Sequence, residues 1–234
     1  MTKWTPHIYG QLPKDLGIKD YALSGEMMFW LYCPIKMPEK VRQLPDNLTQ
    51  FFRLICDVAS DVVADFGFDR WRESYVYLTA KTLYVSPQSP GNRLGWHSDG
   101  FGTDDLNYIW ADRNPTLFFD ALGEPYTAPV DHTEALKDFD YIANNPVAGE
   151  RNDVTYPDRS LLRLDQTVIH AVNPNPQPGL RTFLKVSVSK EPYALKGNSI
   201  NHLLPDHPRP TEERQAERNH PQGNMNEVRT KEAA

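Results

Sequence analysis

Cysteine is scarce in this chain of 234 residues, which holds only Cys33 and Cys56. Both lie in apolar sequence and do not form a C-x-x-C pair, so neither a disulfide framework nor a thiolate zinc site can be built from them. Reduced thiols are typical of a cytoplasmic protein, and the sequence therefore predicts a cytoplasmic location.

Long apolar runs and an excess of positive charge are also missing. No window approaches the roughly 18 apolar residues of a membrane-spanning helix, and MTKWTPHIYG lacks the apolar core of a signal peptide. Lys and Arg total 25 against 31 Asp and Glu, for a net charge of −6. This balance disfavours a membrane or nucleic-acid partner and leaves a small molecule as the expected one.

Gly-rich phosphate loops, nucleophile elbows and Cys-His pairs are absent as well, which argues against nucleotide hydrolysis and acyl transfer. Proline is plentiful, with 20 residues against 13 glycines, and aromatic residues make up 11% of the chain. This composition is typical of a turn-rich, mainly β protein and not of a helical bundle or a disordered chain.

The periodicity of apolar residues divides the chain into many short strands and two helices. The clearer helix is predicted for residues 46–66, between a capping Asp46 or Asn47 and Gly67, and a shorter one for residues 133–143. Strands are predicted at residues 26–33 (closed by Pro34), 75–86, 94–99, 116–119, 161–164, 166–172 and 180–189. The pattern predicts a mainly β (α+β) fold, a sandwich or barrel with an N-terminal buttressing helix.

One domain is expected, because no long linker divides the chain before about residue 204. Residues 205–234 contain four prolines and no aromatic residue. We therefore predict a domain over residues 1–204, with its core at about 75–190, and a polar, flexible C-terminal tail.

Two histidines lie in strand-like sequence beside residues that suit a metal. His97 and Asp99 are two positions apart, so on a strand both side chains project from the same face. His170 closes a second apolar run, and Arg181 opens the next predicted strand. Two imidazoles and one carboxylate on one side of an octahedral metal leave three positions open, which is the arrangement of non-haem Fe(II) oxygenases.

His170 follows His97 by 73 residues and precedes Arg181 by 11. In this order the residues resemble the Fe(II)/2-oxoglutarate-dependent dioxygenase superfamily, over about residues 75–190. The resemblance implies a double-stranded β-helix (jelly-roll), Fe(II) as cofactor, and 2-oxoglutarate and O2 as co-substrates. It also implies that His97, Asp99 and His170 are the metal ligands and that Arg181 binds the far carboxylate of 2-oxoglutarate.

Arg181 suits that role because its planar guanidinium stays charged and matches a carboxylate with two donors. Lys185, on the same face of the predicted strand, is the alternative. Many relatives have Ser or Thr two residues after the Arg, whereas this chain has Phe183, so Tyr84 and Ser187 are the candidates for a second partner.

The presence of Asp99 narrows the implied reaction. Halogenating relatives carry a small residue in its place, so the resemblance implies hydroxylation or another oxidation of a C–H bond.

Four residues near the first motif are candidates for contact with a substrate: Arg93, Trp96, Phe101 and Trp110. For the aromatic residues the alternative is packing in the core, and for Arg93 it is an ordinary loop. Among the remaining histidines, His132 is assigned to the start of the short helix, and three are assigned to solvated sequence: His202, His207 and His220.

Residues 100–158 contain twelve acidic and three basic residues. This acidic segment between the ligand strands predicts a substrate with a positive or zwitterionic group, such as an amine or an amino acid. Two other functions stay open: a nucleobase oxygenase of the same superfamily acting on DNA or RNA, and a non-catalytic, metal-binding jelly-roll of the cupin type.

Overall fold

The computed structural model describes residues 8–122, 126–129, 131–145 and 153–211. Among these residues the strands are β1 (Ile8–Tyr9), β2 (Lys14–Ile18), β3 (Met28–Lys36), β4 (Tyr75–Val85), β5 (His97–Ser98), β6 (Leu106–Ala111), β7 (Leu117–Phe119), β8 (Tyr126–Thr127), β9 (Asp153–Thr155), β10 (Ser160–Leu164), β11 (Ile169–Ala171) and β12 (Gly179–Ser189). The helices are a 3-10 helix (Asp46–Phe51), α1 (Phe52–Phe66), α2 (Phe68–Arg72) and α3 (His132–Asn144). The protein is mostly β, as predicted.

The strands form two larger antiparallel sheets and a short pair. One sheet has six strands in the order β2-β10-β6-β12-β4-β3, the other has four in the order β5-β11-β7-β9, and β1 pairs with β8. The longest pairing joins β12 to β4 in continuous register from Gly179–Val85 to Ser189–Tyr75. Because successive side chains point to opposite faces of a strand, this register fixes which side chains of β12 point toward the four-stranded sheet.

Helix α1 packs on one face of the six-stranded sheet. Its apolar residues recur every three or four positions, so Leu54, Ile55, Val58 and Val62 form one fully buried stripe. The stripe packs against the alternate residues of the strands that point toward the helix, which include Leu78, Val186 and Leu184. Gly67, with φ +86°, ends the helix. The helix predicted for residues 46–66 is confirmed, with a 3-10 turn as its first part.

The opposite face of the six-stranded sheet meets the four-stranded sheet. Ile109 of β6 and Leu162 of β10 join Phe118 of β7 in a second buried cluster. His170 lies beside this cluster, with its ring centroid 6.2 Å from that of Phe118.

Helix α3 covers the outer face of the four-stranded sheet, where Phe139 packs with Ile169 and Ala171 of β11. Asp131 caps the helix by accepting the backbone N–H of Glu134. The predicted short helix is therefore confirmed, and His132 is its first residue.

Two local predictions are wrong. Strand β3 continues through Pro34, because it is the edge strand of its sheet and its pairing is irregular between Pro34 and Lys36, where a missing N–H is tolerated. His207 is not solvated: only 8% of it is exposed, and it lies against Tyr77.

Backbone hydrogen bonds to the folded chain extend as far as Thr211, whose N–H donates to the carbonyl of Ala194. Residues 212–234, which include His220, lie outside the described residues, so the flexible tail stays a prediction. In the part of the chain that the structure describes, no helix has both the length and the apolar character needed to cross a membrane.

Candidate metal centre

The three predicted metal ligands lie together between the sheets. His97 of β5 pairs directly with His170 of β11, and their ring centroids are 4.4 Å apart. Asp99 follows β5, and its Oδ2 lies 3.4 Å from His170 Nε2. One potential ligand atom from each residue lies within 4.8 Å of the others. The geometry and the donor types fit a single metal ion bound on one side.

Both imidazoles are held by backbone carbonyl groups. His97 Nδ1 lies 2.9 Å from the carbonyl oxygen of Gly95, and His170 Nδ1 lies 3.2 Å from that of Val168. A carbonyl oxygen only accepts, so each Nδ1 carries the proton and donates it. Donation from Nδ1 leaves Nε2 as the ring nitrogen that is available to a metal, which is the arrangement that metal-binding histidines use.

The protonation states suit metal binding. Burial lowers the pKa of His97 to about 3, and His170 adds to this effect while Asp99 opposes it. Burial by itself would raise the pKa of Asp99, but Lys185 and the two histidines outweigh it, so this pKa lies well below its usual range. At neutral pH His97 is a neutral donor and Asp99 is a carboxylate, which are the forms that bind a metal.

Lys185 contacts the centre directly. Its Nζ donates to Asp99 Oδ2 at 2.6 Å and to the hydroxyl of Tyr32 at 3.3 Å. Only 8% of the Lys185 side chain is exposed. Burial would lower the pKa of Lys185, but Asp99 and Tyr32 outweigh it and leave the pKa above its ordinary value. Lys185 is therefore a charged ammonium bonded to the carboxylate of the triad.

Tyr32 belongs to the centre although the sequence did not indicate it. Its φ of 45° is unusual for a residue other than glycine, and it lies where the pairing of β3 with β4 shifts register. Its N–H donates to Thr79 Oγ1 at 2.9 Å, and its ring lies 5.3 Å from Lys185 Nζ. No local pattern predicts this, because the bulge depends on pairing with a strand more than 40 residues away.

Arg181 is buried on the same face of β12 as Lys185 but has no hydrogen bond to the triad. Its Nε donates to the carbonyl of Arg113 at 3.0 Å, and its guanidinium lies 5.1 Å from the ring centroid of Phe183. Burial lowers the pKa of Arg181 to about 10, against the opposing effect of Asp112 and Asp158. It is still a cation at neutral pH.

The two predicted helpers of Arg181 differ in position. Ser187 shares the face of Lys185, but its hydroxyl donates to Asn107 Oδ1 at 2.7 Å. Tyr84 pairs with Leu180, on the face opposite Arg181, and is 61% exposed. Tyr84 therefore does not face the centre.

Of the predicted substrate residues, Arg93 is close enough to the centre to lower the pKa of His97. The three aromatic residues pack in structural cores instead. Trp96 lies with α3 on the outer face of the four-stranded sheet, and Phe101 stacks on His132 with ring centroids 5.0 Å apart. Trp110 pairs with Leu184 on the α1 face, opposite Lys185, and its Nε1 donates to the carbonyl of Lys19.

Acidic residues of the segment 100–158 are bonded within the protein. Asp105 accepts from the hydroxyl of Tyr193 at 2.7 Å, and Asp140 accepts from the N–H of Trp96 at 2.8 Å. Asp104 pairs with Arg70 and Lys190. These carboxylates are therefore already engaged by the fold, which weakens the segment as a direct contact for a cationic substrate.

Comparison with solved structures gives distant likenesses, which include two proteins of low sequence identity. EvdO2 from Micromonospora carbonacea var. aurantiaca is 15% identical with a TM-score of 0.36, over 62% of this chain and 62% of its own. The full-length T7H of Neurospora crassa, solved in complex with alpha-KG, is 12% identical with a TM-score of 0.29, over 61% of this chain and 43% of its own. The chain thus spans less than two thirds of either protein, and likenesses this weak carry no argument about it. No protein-family model and no curated protein matches the chain.

Proposed function

We propose that the chain is an Fe(II)- and 2-oxoglutarate-dependent oxygenase that oxidises a C–H bond of a small molecule. The observation that carries the proposal is the close approach of His97, Asp99 and His170. They come from β5, from the turn that follows it, and from the neighbouring strand β11. Two histidines and one carboxylate bound on one side suit Fe(II) and leave positions for a co-substrate and dioxygen.

The proposed architecture is a double-stranded β-helix. Along the chain, β4 is in the six-stranded sheet, β5 in the four-stranded sheet, β6 in the six-stranded sheet and β7 in the four-stranded sheet. The return half repeats this alternation from β9, in the four-stranded sheet, to β12, in the six-stranded sheet. Such winding brings β5 and β11 together and so supports the ligand assignment.

In this function each residue has a defined task. When bound, Fe(II) with 2-oxoglutarate and O2 supplies the oxidising power, and the co-substrate leaves as succinate and carbon dioxide. His97 and His170 keep Nε2 free for the metal by donating Nδ1–H to carbonyl groups. Asp99 supplies the carboxylate, and its retention favours C–H oxidation over halogenation.

We assign the far carboxylate of 2-oxoglutarate to Arg181, a buried cation on the inner face of β12. Of the two predicted second partners, Ser187 lies on that face with its hydroxyl bonded to Asn107, whereas Tyr84 lies on the other face, so Ser187 is the one that we retain. For the substrate we retain an amine or an amino acid, on the balance of charges in residues 100–158.

The proposal extends to the domain organisation. Residues 1–204 would form one domain, followed by a polar C-terminal tail. The buried side chains of Leu204 and His207 favour a later start of that tail than residue 205.

The first test is uncoupled turnover. Anaerobic addition of Fe(II) and 2-oxoglutarate is expected to give a weak visible charge-transfer band, and admission of O2 is expected to release succinate above a no-protein control. Metal binding without decarboxylation would instead fit a cupin-type binding protein. Stimulation by an oligonucleotide that is lost at high salt would fit a nucleobase oxygenase.

His97→Ala is expected to abolish succinate release, because a ligand is lost while its neighbours remain. Asp99→Ala alone would leave Lys185 as an unpaired buried charge, at a cost of about 3–5 kcal/mol. The double variant Asp99→Ala/Lys185→Met removes both charges and is the better test of the carboxylate. Unchanged succinate release in either folded variant would show that the ligands are assigned wrongly.

A further inference from the structure

The ion pair between Lys185 and Asp99 engages the carboxylate oxygen that lies beside His170. Lys185 Nζ lies 2.6 Å from Asp99 Oδ2, and the same oxygen lies 3.4 Å from His170 Nε2. The oxygen that faces the imidazole is therefore already bonded to a fixed positive charge. A metal ion that bound through this oxygen would share it with the ammonium group, and a metal ion bound through the other oxygen would still lie close to the same positive charge.

The charges of the groups around the three ligands determine whether Lys185 strengthens or weakens the binding of a metal. The charges of Asp99 and Lys185 cancel, and a metal requires both histidines as neutral donors, so these four residues offer a divalent ion no net negative charge. A divalent ion adds two positive charges among largely buried groups, where uncompensated charge is costly. 2-Oxoglutarate carries two negative charges at neutral pH, so it restores neutrality when it binds with the metal.

Lys185 is not positioned to relieve the excess charge by moving into solvent. Its side chain is 8% exposed, and it is held by the Tyr32 hydroxyl at 3.3 Å and beside the Tyr32 ring. Tyr32 is itself fixed by the bond from its N–H to Thr79 Oγ1. The ammonium therefore stays near the metal position whether or not Asp99 is available to it.

We propose that Lys185 is a positioning residue that couples the binding of the metal to the binding of the dianion. It weakens the binding of a divalent metal alone and makes metal and 2-oxoglutarate bind together. This inference rests on the proposed function, because it takes the dianion to be 2-oxoglutarate. By linkage, the metal strengthens binding of the dianion by the same factor as the dianion strengthens binding of the metal.

The test uses Mn(II) as the metal, since it has the charge of Fe(II) and the electron paramagnetic resonance signal of the free ion reports its concentration. Mn(II) affinity is measured for the full chain with and without saturating 2-oxoglutarate. For the natural protein we expect 2-oxoglutarate to tighten Mn(II) binding about tenfold or more, within the usual range of coupling between sites. For Lys185→Met we expect tighter binding of Mn(II) alone and a gain from 2-oxoglutarate of less than about threefold.

Lys190→Met is the matched control. Lys190 lies five residues further along the chain and also pairs with an aspartate at 2.6 Å, but its partner is Asp104 and both side chains are exposed. The substitution removes the same charge and the same type of ion pair away from the ligands. Both Mn(II) affinities are expected to match those of the natural protein.

Two further variants separate charge from shape. Lys185→Arg keeps the charge and is expected to keep the coupling. Tyr32→Phe removes the second acceptor of the ammonium, so Lys185 depends more on Asp99 and Mn(II) alone should bind more weakly, the opposite sign to Lys185→Met. If Lys185→Met does not fold, as judged by circular dichroism, Tyr32→Phe decides the question.

Two failures are distinguishable. If 2-oxoglutarate tightens Mn(II) binding equally in the natural protein and in folded Lys185→Met, the coupling role is overturned and the proposed function stands. Loss of coupling in Lys185→Arg, or tighter binding of Mn(II) by Tyr32→Phe, also overturns the role. If 2-oxoglutarate has no effect on Mn(II) in the natural protein, the proposed function fails and the coupling role fails with it.

Discussion

Arg181 and Lys185 are two buried cations on one face of β12 with different surroundings. Lys185 is bonded to Asp99, a predicted metal ligand, whereas Arg181 is bonded to a backbone carbonyl and lies near Asp112 and Asp158. Under the proposed function, a cation beside the metal would alter metal binding, and a cation further along the strand would act on the co-substrate alone. The two residues therefore predict different signatures in a binding experiment.

For Arg181→Gln we expect weaker binding of 2-oxoglutarate in the presence of Mn(II), with the affinity for Mn(II) alone unchanged. A lost charge-assisted hydrogen bond costs about 1.5–3 kcal/mol, which corresponds to roughly a tenfold to hundredfold rise in Kd. Isothermal titration calorimetry measures both quantities. Arg159→Gln, at an exposed arginine paired with Asp20, is the control. An unchanged Kd for 2-oxoglutarate would show that its far carboxylate binds to a residue other than Arg181.

At the scale of elements, α1 is fixed to the six-stranded sheet by one buried carboxylate. Asp61, 8% exposed, accepts from Tyr108 at 2.8 Å, from Lys14 at 2.7 Å and from Arg163 at 2.6 Å. One turn further along, Asp65 accepts from the same two cations but is 36% exposed. Asp61 and Asp65 thus share Lys14 and Arg163 as partners. They differ mainly in burial and in the bond from Tyr108, which only Asp61 accepts.

Asp61→Asn is expected to lower the free energy of unfolding by about 2–4 kcal/mol, because the buried Tyr108 and the mostly buried Arg163 lose a charged acceptor. Asp65→Asn, the matched variant, is expected to cost less than about 1 kcal/mol, as for exposed ion pairs. Urea unfolding monitored by circular dichroism measures both. Equal effects would contradict the role given to burial.

The same carboxylate predicts a dependence on pH. Burial raises the pKa of Asp61, but bonds from Lys14, Tyr108 and Arg163 outweigh it and leave the pKa below its ordinary value of 3.8. A group whose pKa is lower in the folded state stabilises the fold above its unfolded pKa and loses that contribution as pH falls. Between about pH 5 and pH 3, Asp61→Asn should therefore lose less stability than the natural protein.

How far the elements follow from the sequence depends on whether their signal is local. The period of α1 and the capping by Asp131 are local, and both helices were predicted close to their bounds. Strand β5 is shorter than predicted, with only His97–Ser98 paired, since glycines with positive φ lie on both sides at Gly95 and Gly100. Strand β6 was missed, although it lies at the centre of its sheet.

The same distinction holds for the candidate site. The spacing of His97 and Asp99 predicted that the two side chains lie close together, and they do, although Asp99 lies in the turn after β5 and not on the strand. Lys185 meets Asp99 only through the register of β12, across 86 residues, and Tyr32 only through the bulge of β3. The aromatic residues beside the motif pack in cores: Trp110 is turned away from the centre by its position on β6, and Trp96, just before β5, packs in the cluster under α3.

At the scale of the whole molecule, the segment after β12 closes the fold over its edge strand. Asn201 Nδ2 donates to the carbonyl groups of Pro34 and Gln43, and Ser199 N–H donates to that of Leu31. Tyr193 stacks on Tyr77 with ring centroids 4.4 Å apart and an angle of 11°. The segment therefore covers the side of β3 that carries Tyr32 and links it to the inner residues of β4.

His207 is a buried titratable residue of the segment that follows β12 and covers β3. Its Nδ1 donates to the carbonyl of Pro208 at 2.8 Å, so its Nε2 accepts from the hydroxyl of Tyr77 at 2.9 Å. Burial lowers the pKa of His207 below 6.5, with Arg209 adding to the effect and the bond to Pro208 opposing it. Protonation of Nε2 would remove the acceptor for Tyr77. The neutral form thus stabilises the fold above the unfolded pKa, and this contribution is lost as pH falls through the folded pKa.

We therefore expect His207→Asn to lower the free energy of unfolding at about pH 8 by roughly 1–2 kcal/mol, the cost of a buried hydrogen bond, and to lose less stability than the natural protein between about pH 7 and pH 5. Urea unfolding with a metal chelator present measures both, because a bound metal would add its own pH dependence through His97 and His170. His202→Asn, at an exposed histidine, should leave the pH profile unchanged. A profile for His207→Asn that parallels that of the natural protein would mean that the closure is held by Asn201 and Tyr193 without a contribution from the imidazole.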